Sequence, residues 1–169
     1  AVAFYTDAGR KPAEGVNMSD KRTTGELYNV LKNMSVDDIQ SYLGADGTAD
    51  GERLFTRYMR ETFRAKGLRQ QDVFLAADIP ERYGYKLISG EKRTRQRDVI
   101  LRLCLGAGFS LAETQHALKM YGMAELYARM PRDAVLIIAA NTGVHDVHAV
   151  DELLTLHGLA RLAVCGNVE

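Results

Sequence analysis

The sequence predicts an all-α protein, and three observations point to that fold class. After residue 22, apolar residues recur at helical spacing, and no segment alternates convincingly in the manner of a β-strand. Glycines and capping residues end the apolar segments at intervals typical of short helices. The composition, with 46% hydrophobic and 26% charged residues, is that of an ordinary globular domain. We therefore expect a bundle of short helices.

The N-terminal part is predicted to contain two helices and a linker. Residues 1–22 show no periodicity, and we expect them to be disordered or to derive from cloning. The pattern over 23–43 predicts a helical pair, with Thr24 and Ser35 as N-caps. Residues 44–52 contain three glycines and two aspartates, a composition typical of a linker.

Four further helices are predicted within residues 53–109. The first carries apolar residues on one face and ends at Gly67, which suits a left-handed C-cap. A turn containing a proline separates the second and third helices, and Gly90 closes the third. The second, third and fourth helices are predicted at Gln70–Ala77, Glu81–Ser89 and Arg95–Leu105.

The C-terminal part, residues 110–169, belongs to a repeated pattern. Two units, beginning at Asp98 and Asp133, each contain an aspartate with three apolar residues, an internal glycine and a closing glycine. The offset between the units is 35 at the internal glycine and 36 at the closing one. Ser110 and Glu113 form a capping box sequence at the start of a helix. The repeat is either a true duplication or two helical hairpins meeting the same packing demand, and two copies are too few for a solenoid.

The charges are unevenly distributed along the chain. Lys plus Arg and Asp plus Glu both total 22, which excludes a polycationic tail. Residues 53–102 nevertheless contain 13 basic and six acidic side chains, a net charge of +7, and the remainder contains nine basic and 16 acidic ones. The neutral total therefore conceals a basic module, which is typical of a nucleic-acid-binding surface.

Short helix, tight turn, short helix and basic loop is also the order of a helix-turn-helix. The second helix opens with Gly67-Leu68-Arg69-Gln70-Gln71, and the third closes with Ser89-Gly90-Glu91-Lys92-Arg93. The fourth helix runs through Arg97–Leu103 and exits at Ser110–Glu113. In these features residues 60–113 resemble the DNA-binding domain of the Cro and phage-repressor class of transcriptional regulators, the XRE-like family. The resemblance implies a lambda-repressor-like helix-turn-helix bundle, followed here by helical hairpins.

Three positions depart from the family pattern. Asp78 stands where the family has its turn glycine, and Thr94 where it usually has a proline after the basic residues. Gly84 replaces an apolar residue in the middle of the recognition helix. Because a helical glycine costs about 0.5–1 kcal/mol relative to alanine, we expect Gly84 to loosen the recognition helix.

The resemblance also implies which residues contact DNA. The glutamine that opens the second helix holds a phosphate and braces the recognition helix, whose outward side chains read bases. The basic loop follows the phosphate backbone. Of the two tyrosines in the recognition helix, Tyr83 is expected inside and Tyr85 outside. The implied DNA-binding residues are Gln70, Gln71, Glu81, Arg82, Tyr85, Lys86, Lys92, Arg93 and Arg95.

Other chemistries have weaker support. A metal site would draw on His145, Asp146, His148, Asp151 and His157, but we interpret this segment as the polar start of a helix. No catalytic residue, metal or cofactor is predicted. We expect an apolar group to form core rather than a ligand pocket: Tyr121, Met123, Leu126, Tyr127 and Met130.

Cys104 and Cys165 lie 61 residues apart and form no CxxC motif, so we expect free thiols in a reducing compartment. The longest apolar run has seven residues, too short to span a membrane.

The sequence thus predicts a cytoplasmic transcriptional regulator, not an enzyme, that binds double-stranded DNA through residues 53–109. Residues 110–169 are expected to carry dimerisation or effector sensing, giving a homodimer, with a protein partner through the same helices as a further option. The alternative is an adaptor, in which a helix-turn-helix retained for protein contact no longer binds DNA and docks an acidic partner on its basic face.

Overall fold

A computed structural model describes residues 24–40 and 50–165, and every regular element in these ranges is helical. The predicted all-α class is confirmed for this part of the chain. The chain divides into two compact units, residues 1–50 and 51–169. Within the described ranges, no helix has the length and apolar character needed to cross a bilayer.

The first unit contains helix α1 (Thr24–Lys32) and a short 3-10 helix (Val36–Asp38). Thr24, predicted as an N-cap, is instead the first residue of α1, whereas Ser35 is the N-cap of the 3-10 helix and its N–H donates to the Asp38 carboxylate at 2.9 Å. The rest of the predicted second helix, Tyr42 and Leu43, lies outside the described residues. No side chain described in this unit is buried.

The second unit contains seven helices: α2 (Asp50–Ala65), α3 (Gln70–Ala76), α4 (Glu81–Ser89), α5 (Arg97–Gly106), α6 (Leu111–Tyr121), α7 (Pro131–Thr142) and α8 (Val147–Leu156). Helix α4 has the predicted bounds, and α3 ends one residue early. Helix α2 begins at Asp50, inside the predicted linker of residues 44–52. The first N–H groups of a helix need no partner within it, so residues of linker-like composition can form its first turn.

One hydrophobic core holds the second unit together. Phe55, Met59 and Phe63 line the inner face of α2, as their spacing predicts. The core also takes residues from both sides of the predicted division at 109/110, from α3 through α8 and Leu162. That division therefore does not separate two compact units, because the C-terminal hairpins bury their apolar faces together with α2 to α5.

The sequence repeat is also a repeat of hydrogen bonds. Both amide atoms of the Gln115 side chain bond the main chain of Leu126, at 2.7 Å to its N–H and 2.8 Å to its carbonyl oxygen. Thirty-six residues later, the Asp151 carboxylate accepts the N–H of Leu162 at 2.8 Å. In each copy of the repeat, a side chain of the second helix thus forms a hydrogen bond with the main chain eleven residues later, beyond the closing glycine.

The two units of the repeat also bond each other reciprocally. Arg132 binds both carboxylate oxygens of Asp98 at 2.9 and 3.0 Å, and Arg97 binds both oxygens of Asp133. Each arginine also donates to carbonyl groups after the closing glycine of its own unit. Burial opposes the charge on Asp98, but hydrogen bonds from Arg132 and from the Ala163 N–H outweigh it and lower the pKa of this carboxyl below its ordinary value. The N-terminal ends of α5 and α7 are therefore joined by a pair of crossed ion pairs.

The predicted apolar core after α6 is only partly correct. Tyr121 and Leu126 are buried and Met123 is half-buried, as expected. Tyr127 and Met130 are instead 57% and 55% exposed. The segment between α6 and α7 is not helical, so its sequence spacing does not direct these side chains to one face.

The two cysteines are free, with Cys104 buried and Cys165 half-buried. Burial raises the pKa of the Cys104 thiol to about 12, so this thiol stays protonated and unreactive at neutral pH.

Candidate nucleic-acid interface

Helices α3 and α4 pack unusually closely, and Gly84 is the reason. A Cβ atom at Gly84 would lie 2.5–2.7 Å from three ring carbons of Phe74, whose side chain is only 1% exposed. Gly84 itself is buried. The missing side chain lets α4 rest on the Phe74 ring, so Gly84 has a packing role in addition to its low helix propensity. The Tyr85 ring completes the contact edge-on, with its centroid 5.0 Å from that of Phe74.

The turn between α3 and α4 contains a residue in the left-handed conformation that glycine adopts most easily. Asp78 has φ +53°, in the left-handed region, and aspartate tolerates this region better than most residues. Its carboxylate lies 3.5 Å from the Arg102 guanidinium. Ile79 follows with 5% exposure and anchors the turn in the core. Asp78 is thus compatible with a tight turn at this position.

The outer face of α4 presents several predicted side chains to solvent. Glu81 and Arg82 are exposed in the first turn, and Tyr85 is 43% exposed one turn later. Tyr83 is half-buried against the core, on the inner side as expected. Helix α4 therefore carries an acidic, a basic and an aromatic side chain on one accessible surface.

A hydrogen bond between two exposed side chains joins α3 to the start of α4, and its donor is Gln71. The Gln71 amide donates to the Glu81 carboxylate at 3.4 Å, whereas the bracing role is expected of Gln70. Gln70 is half-buried at the first position of α3. An exposed apolar side chain that was not predicted, Leu75, lies one turn beyond Gln71 and is 82% exposed.

The loop after α4 is held against the bundle by its own basic segment. Gly90 adopts φ +80° at the C-cap of α4. Arg93 donates to the Tyr121 carbonyl oxygen at 3.1 Å and stacks 5.0 Å from the centre of that ring. The main-chain N–H of Thr94 donates to the Tyr121 hydroxyl oxygen at 2.7 Å. A proline has no N–H to make this bond, so the main chain at Thr94 has a structural role that a proline could not fill.

The remaining basic residues of the predicted site differ in their contacts and in their exposure to solvent. Lys86 forms a 2.8 Å ion pair with Glu91. The Lys92 ammonium lies 5.4 Å from the Tyr83 ring centre, and Lys92 is exposed. Arg95 is exposed at the end of the loop. The structure thus brings the predicted base-reading and backbone-following side chains to α4 and the loop that follows it.

Two basic residues of the segment are engaged within the bundle, the half-buried Arg97 and the buried Arg102, so they add little to a basic surface. Arg97 is paired with Asp133 between the repeat units. Arg102 is 1% exposed and joins the turn before α4 to α8 and the C-terminal segment. Its guanidinium partners are the carbonyl groups of Ala77, Leu162 and Ala163 and the carboxylates of Asp78 and Asp151, at 2.8–3.8 Å.

Helix α2 contributes a row of exposed arginines that the site prediction omitted. Arg57, Arg60 and Arg64 occupy the side of α2 opposite its buried phenylalanines. Their spacing of three and four residues is a signal that the sequence already contains.

The polar segment around His145 has structural roles. Asp146 caps α8 by accepting the Ala149 N–H at 2.7 Å, and Asp151 is bonded to Leu162. Within residues 24–40 and 50–165, no three His, Cys, Asp or Glu side chains are grouped so as to hold a metal ion.

Comparisons with known proteins found no matching family model, no matching curated protein and no matching solved structure.

Proposed function

We propose that the chain is a transcriptional regulator that binds duplex DNA, with α3 and α4 as a helix-turn-helix and α4 in the major groove. The observation that supports this most is the packing of α4 on Phe74 through Gly84. It presses one side of α4 into the bundle and leaves Glu81 and Arg82 exposed, while the Tyr85 ring contacts Phe74 and stays 43% exposed. A recognition helix needs this arrangement, because its base-contacting residues must project from a rigid support.

The exposed side chains of α4 suit base recognition. Arginine can donate two hydrogen bonds to O6 and N7 of guanine, so Arg82 is assigned the main base contact. Glu81 can accept from cytosine N4, and Tyr85 can contact a sugar or a thymine methyl group. The Gln71 amide donates to the Glu81 carboxylate at 3.4 Å, and both side chains are exposed.

Phosphate contacts are assigned to the exposed cations around α4. Lys92 and Arg95 follow α4 and are accessible. Arg93 contacts Tyr121 with its guanidinium, so its first role is to position the loop. Lys86 must exchange Glu91 for a phosphate if it takes part, since the ion pair already occupies its ammonium. Such contacts supply affinity but carry no sequence information.

The electrostatic part of the proposal is tested by binding to random-sequence duplex DNA over a salt series. If about five phosphates are neutralised, log K should fall against log salt with a slope of about −4.5. Fluorescence anisotropy measures this slope directly. Absence of binding at low salt contradicts the proposal and favours the adaptor, whose basic face would meet an acidic protein.

The placement of α4 is tested by three alanine variants on a binding site found by selection. Arg82→Ala should cost about 1–3 kcal/mol on that site and little on random DNA, because it removes a base contact. Arg95→Ala should weaken both DNAs alike and make the salt slope less steep by about 1. Arg129→Ala, an exposed arginine outside the proposed interface, is the matched control and should change neither. Equal losses on both DNAs for Arg82→Ala would show that α4 does not read bases.

A further inference from the structure

We propose that Arg102 is a positioning residue, through which the chain segment that follows α8 fixes the turn before α4. This segment, residues 160–163 and referred to as the strap, has no regular secondary structure. A main chain outside helices and sheets needs other partners for its N–H and C=O groups. Besides Arg102, three side chains of α5, α7 and α8 bond the main chain of the strap at 2.8–3.0 Å: Asp98, Arg132 and Asp151. Leu162, inside the strap, is 1% exposed, so the strap is built into the bundle although it lies outside every helix.

The Arg102 guanidinium contacts the strap and the turn with different atoms. Its Nε donates to the Ala163 carbonyl oxygen at 2.8 Å, and its Nη2 donates to that of Leu162 at 3.0 Å. Its Nη1 donates to the Ala77 carbonyl oxygen at 3.4 Å and lies 3.5 Å from the Asp78 carboxylate. Because the guanidinium is planar and its donors have fixed directions, the strap and the turn cannot move independently while both stay bonded to it.

Burial makes these two sets of contacts depend on each other. Arg102 is 1% exposed, and a buried charge is strongly unfavourable without partners. Without the strap, the guanidinium would lose its two shortest hydrogen bonds and would gain from moving toward solvent, away from Ala77. Displacement of the turn removes partners from the same guanidinium and weakens its hold on the strap. The coupling is therefore reciprocal.

The turn leads directly into α4, so its position determines how α4 is presented. Asp78, with φ +53°, lies three residues before Glu81, the first residue of α4. The end of α3 is held on α5 by a separate contact, because a Cβ atom at Gly106 would lie only 2.7 Å from the N atom of Ala77. Loss of the Arg102 bridge should therefore change the direction of the turn and of α4 without detaching α3 from α5.

The consequence for DNA rests on the proposed function. Base contacts require side chains held within about 0.5 Å of the productive geometry, whereas phosphate contacts carry no sequence information. A shift of α4 should therefore reduce the discrimination between a selected site and random DNA rather than abolish binding. The coupling of the strap to the turn is independent of whether α4 contacts DNA.

Amide hydrogen exchange in the full chain, followed by NMR, tests the coupling without DNA. Asp78→Gly removes the carboxylate that faces Arg102, and glycine accepts the positive φ without strain. It leaves Arg102 in place, so the buried charge keeps its other partners. The Leu162 and Ala163 N–H groups should then exchange about threefold faster or more, although their own carboxylate acceptors are unchanged.

The repeat provides an internal control for this measurement. The Leu126 N–H, 36 residues before that of Leu162, is likewise bonded to a side chain, at 2.7 Å to Gln115. That contact does not involve Arg102, so exchange at Leu126 should stay at the wild-type rate in Asp78→Gly.

Asp72→Asn is the matched control variant. The Asp72 and Asp78 side chains are 53% and 56% exposed, and each carboxylate lies close to an arginine. The partner of Asp72 is Arg69 on the surface, so its replacement removes one negative charge without affecting the Arg102 bridge. Exchange at Leu162 should stay at the wild-type rate in this variant.

Affinities for a selected site and for random duplex DNA provide the second measurement. Asp78→Gly should lower the ratio of the two affinities about threefold or more, because a displaced α4 weakens base contacts. Asp72→Asn removes the same charge and should change both affinities in proportion. By reciprocity, saturating DNA should slow exchange at Leu162 and Ala163 in the wild-type chain.

Unchanged exchange at Leu162 and Ala163 in Asp78→Gly, or an equal acceleration at Leu126, would overturn the coupling of the strap to the turn. Faster exchange with an unchanged affinity ratio would overturn the positioning of α4 for DNA. A chain that shows the exchange response but binds no DNA would instead leave the role of Arg102 in joining the strap to the turn standing and remove the proposed function.

Discussion

Replacing Gly84 by alanine should destabilise the protein, although alanine is the better helix former. Helix propensity alone predicts a gain of about 0.5–1 kcal/mol. The added Cβ would however lie 2.5–2.7 Å from the Phe74 ring, and a ring that is 1% exposed has no solvent-filled space to move into. Overpacking of a core typically costs about 1–3 kcal/mol, so the net loss should be about 1 kcal/mol in the middle of these ranges and at most about 2.5 kcal/mol.

Urea denaturation followed by far-UV circular dichroism measures this change, since the chain has no tryptophan to report on folding. The melting temperature should fall by about 4 °C for each kcal/mol lost. Phe74→Leu provides the decisive background, because it removes the ring that the new methyl group would strike. In that background Gly84→Ala should be neutral or stabilising. A gain in stability on the wild-type background would refute the close packing of α4 on Phe74.

Three further predictions follow from the contacts around α5 and its preceding loop. Arg102→Met should cost about 3 kcal/mol in urea unfolding because it leaves buried partners without a cation, whereas Arg95→Met, at an exposed site, should stay within about 0.5 kcal/mol. The pKa of Asp98 is lowered in the folded state, so its stabilisation is present above its ordinary pKa and disappears as pH falls through the folded value. Acid titrations of the melting temperature should therefore show a shallower loss for Asp98→Asn than for wild type. Thr94→Pro should lower the melting temperature by removing a hydrogen bond to a buried tyrosine, and a rise would contradict the role assigned to that N–H.

The bounds of α4 and the exposure of its side chains could be predicted because their signals are local. The bounds of α4, its closing glycine and the outward positions of Arg82 and Tyr85 follow from helical spacing and capping. The engagement of Arg93 with Tyr121 could not be predicted, because these residues are 28 positions apart and meet only when α6 packs beside the loop. The same holds for Arg102, whose charge contributes to the basic total in the sequence but is buried in the fold.

The sequence by itself determined the all-α class, the helix order and the repeated C-terminal pattern. These depend on periodicity, caps and glycines, which act over a few residues. Tertiary structure alone decided the role of Gly84. Glycine is unfavourable within an isolated helix, but here a Cβ atom would collide with the Phe74 ring. It also decided which positions of the repeat are buried: Ile138 is exposed, whereas Leu103, 35 residues earlier at the equivalent position, is buried. The physical reason is that burial and close packing depend on groups brought together from distant positions, and no local pattern specifies those neighbours.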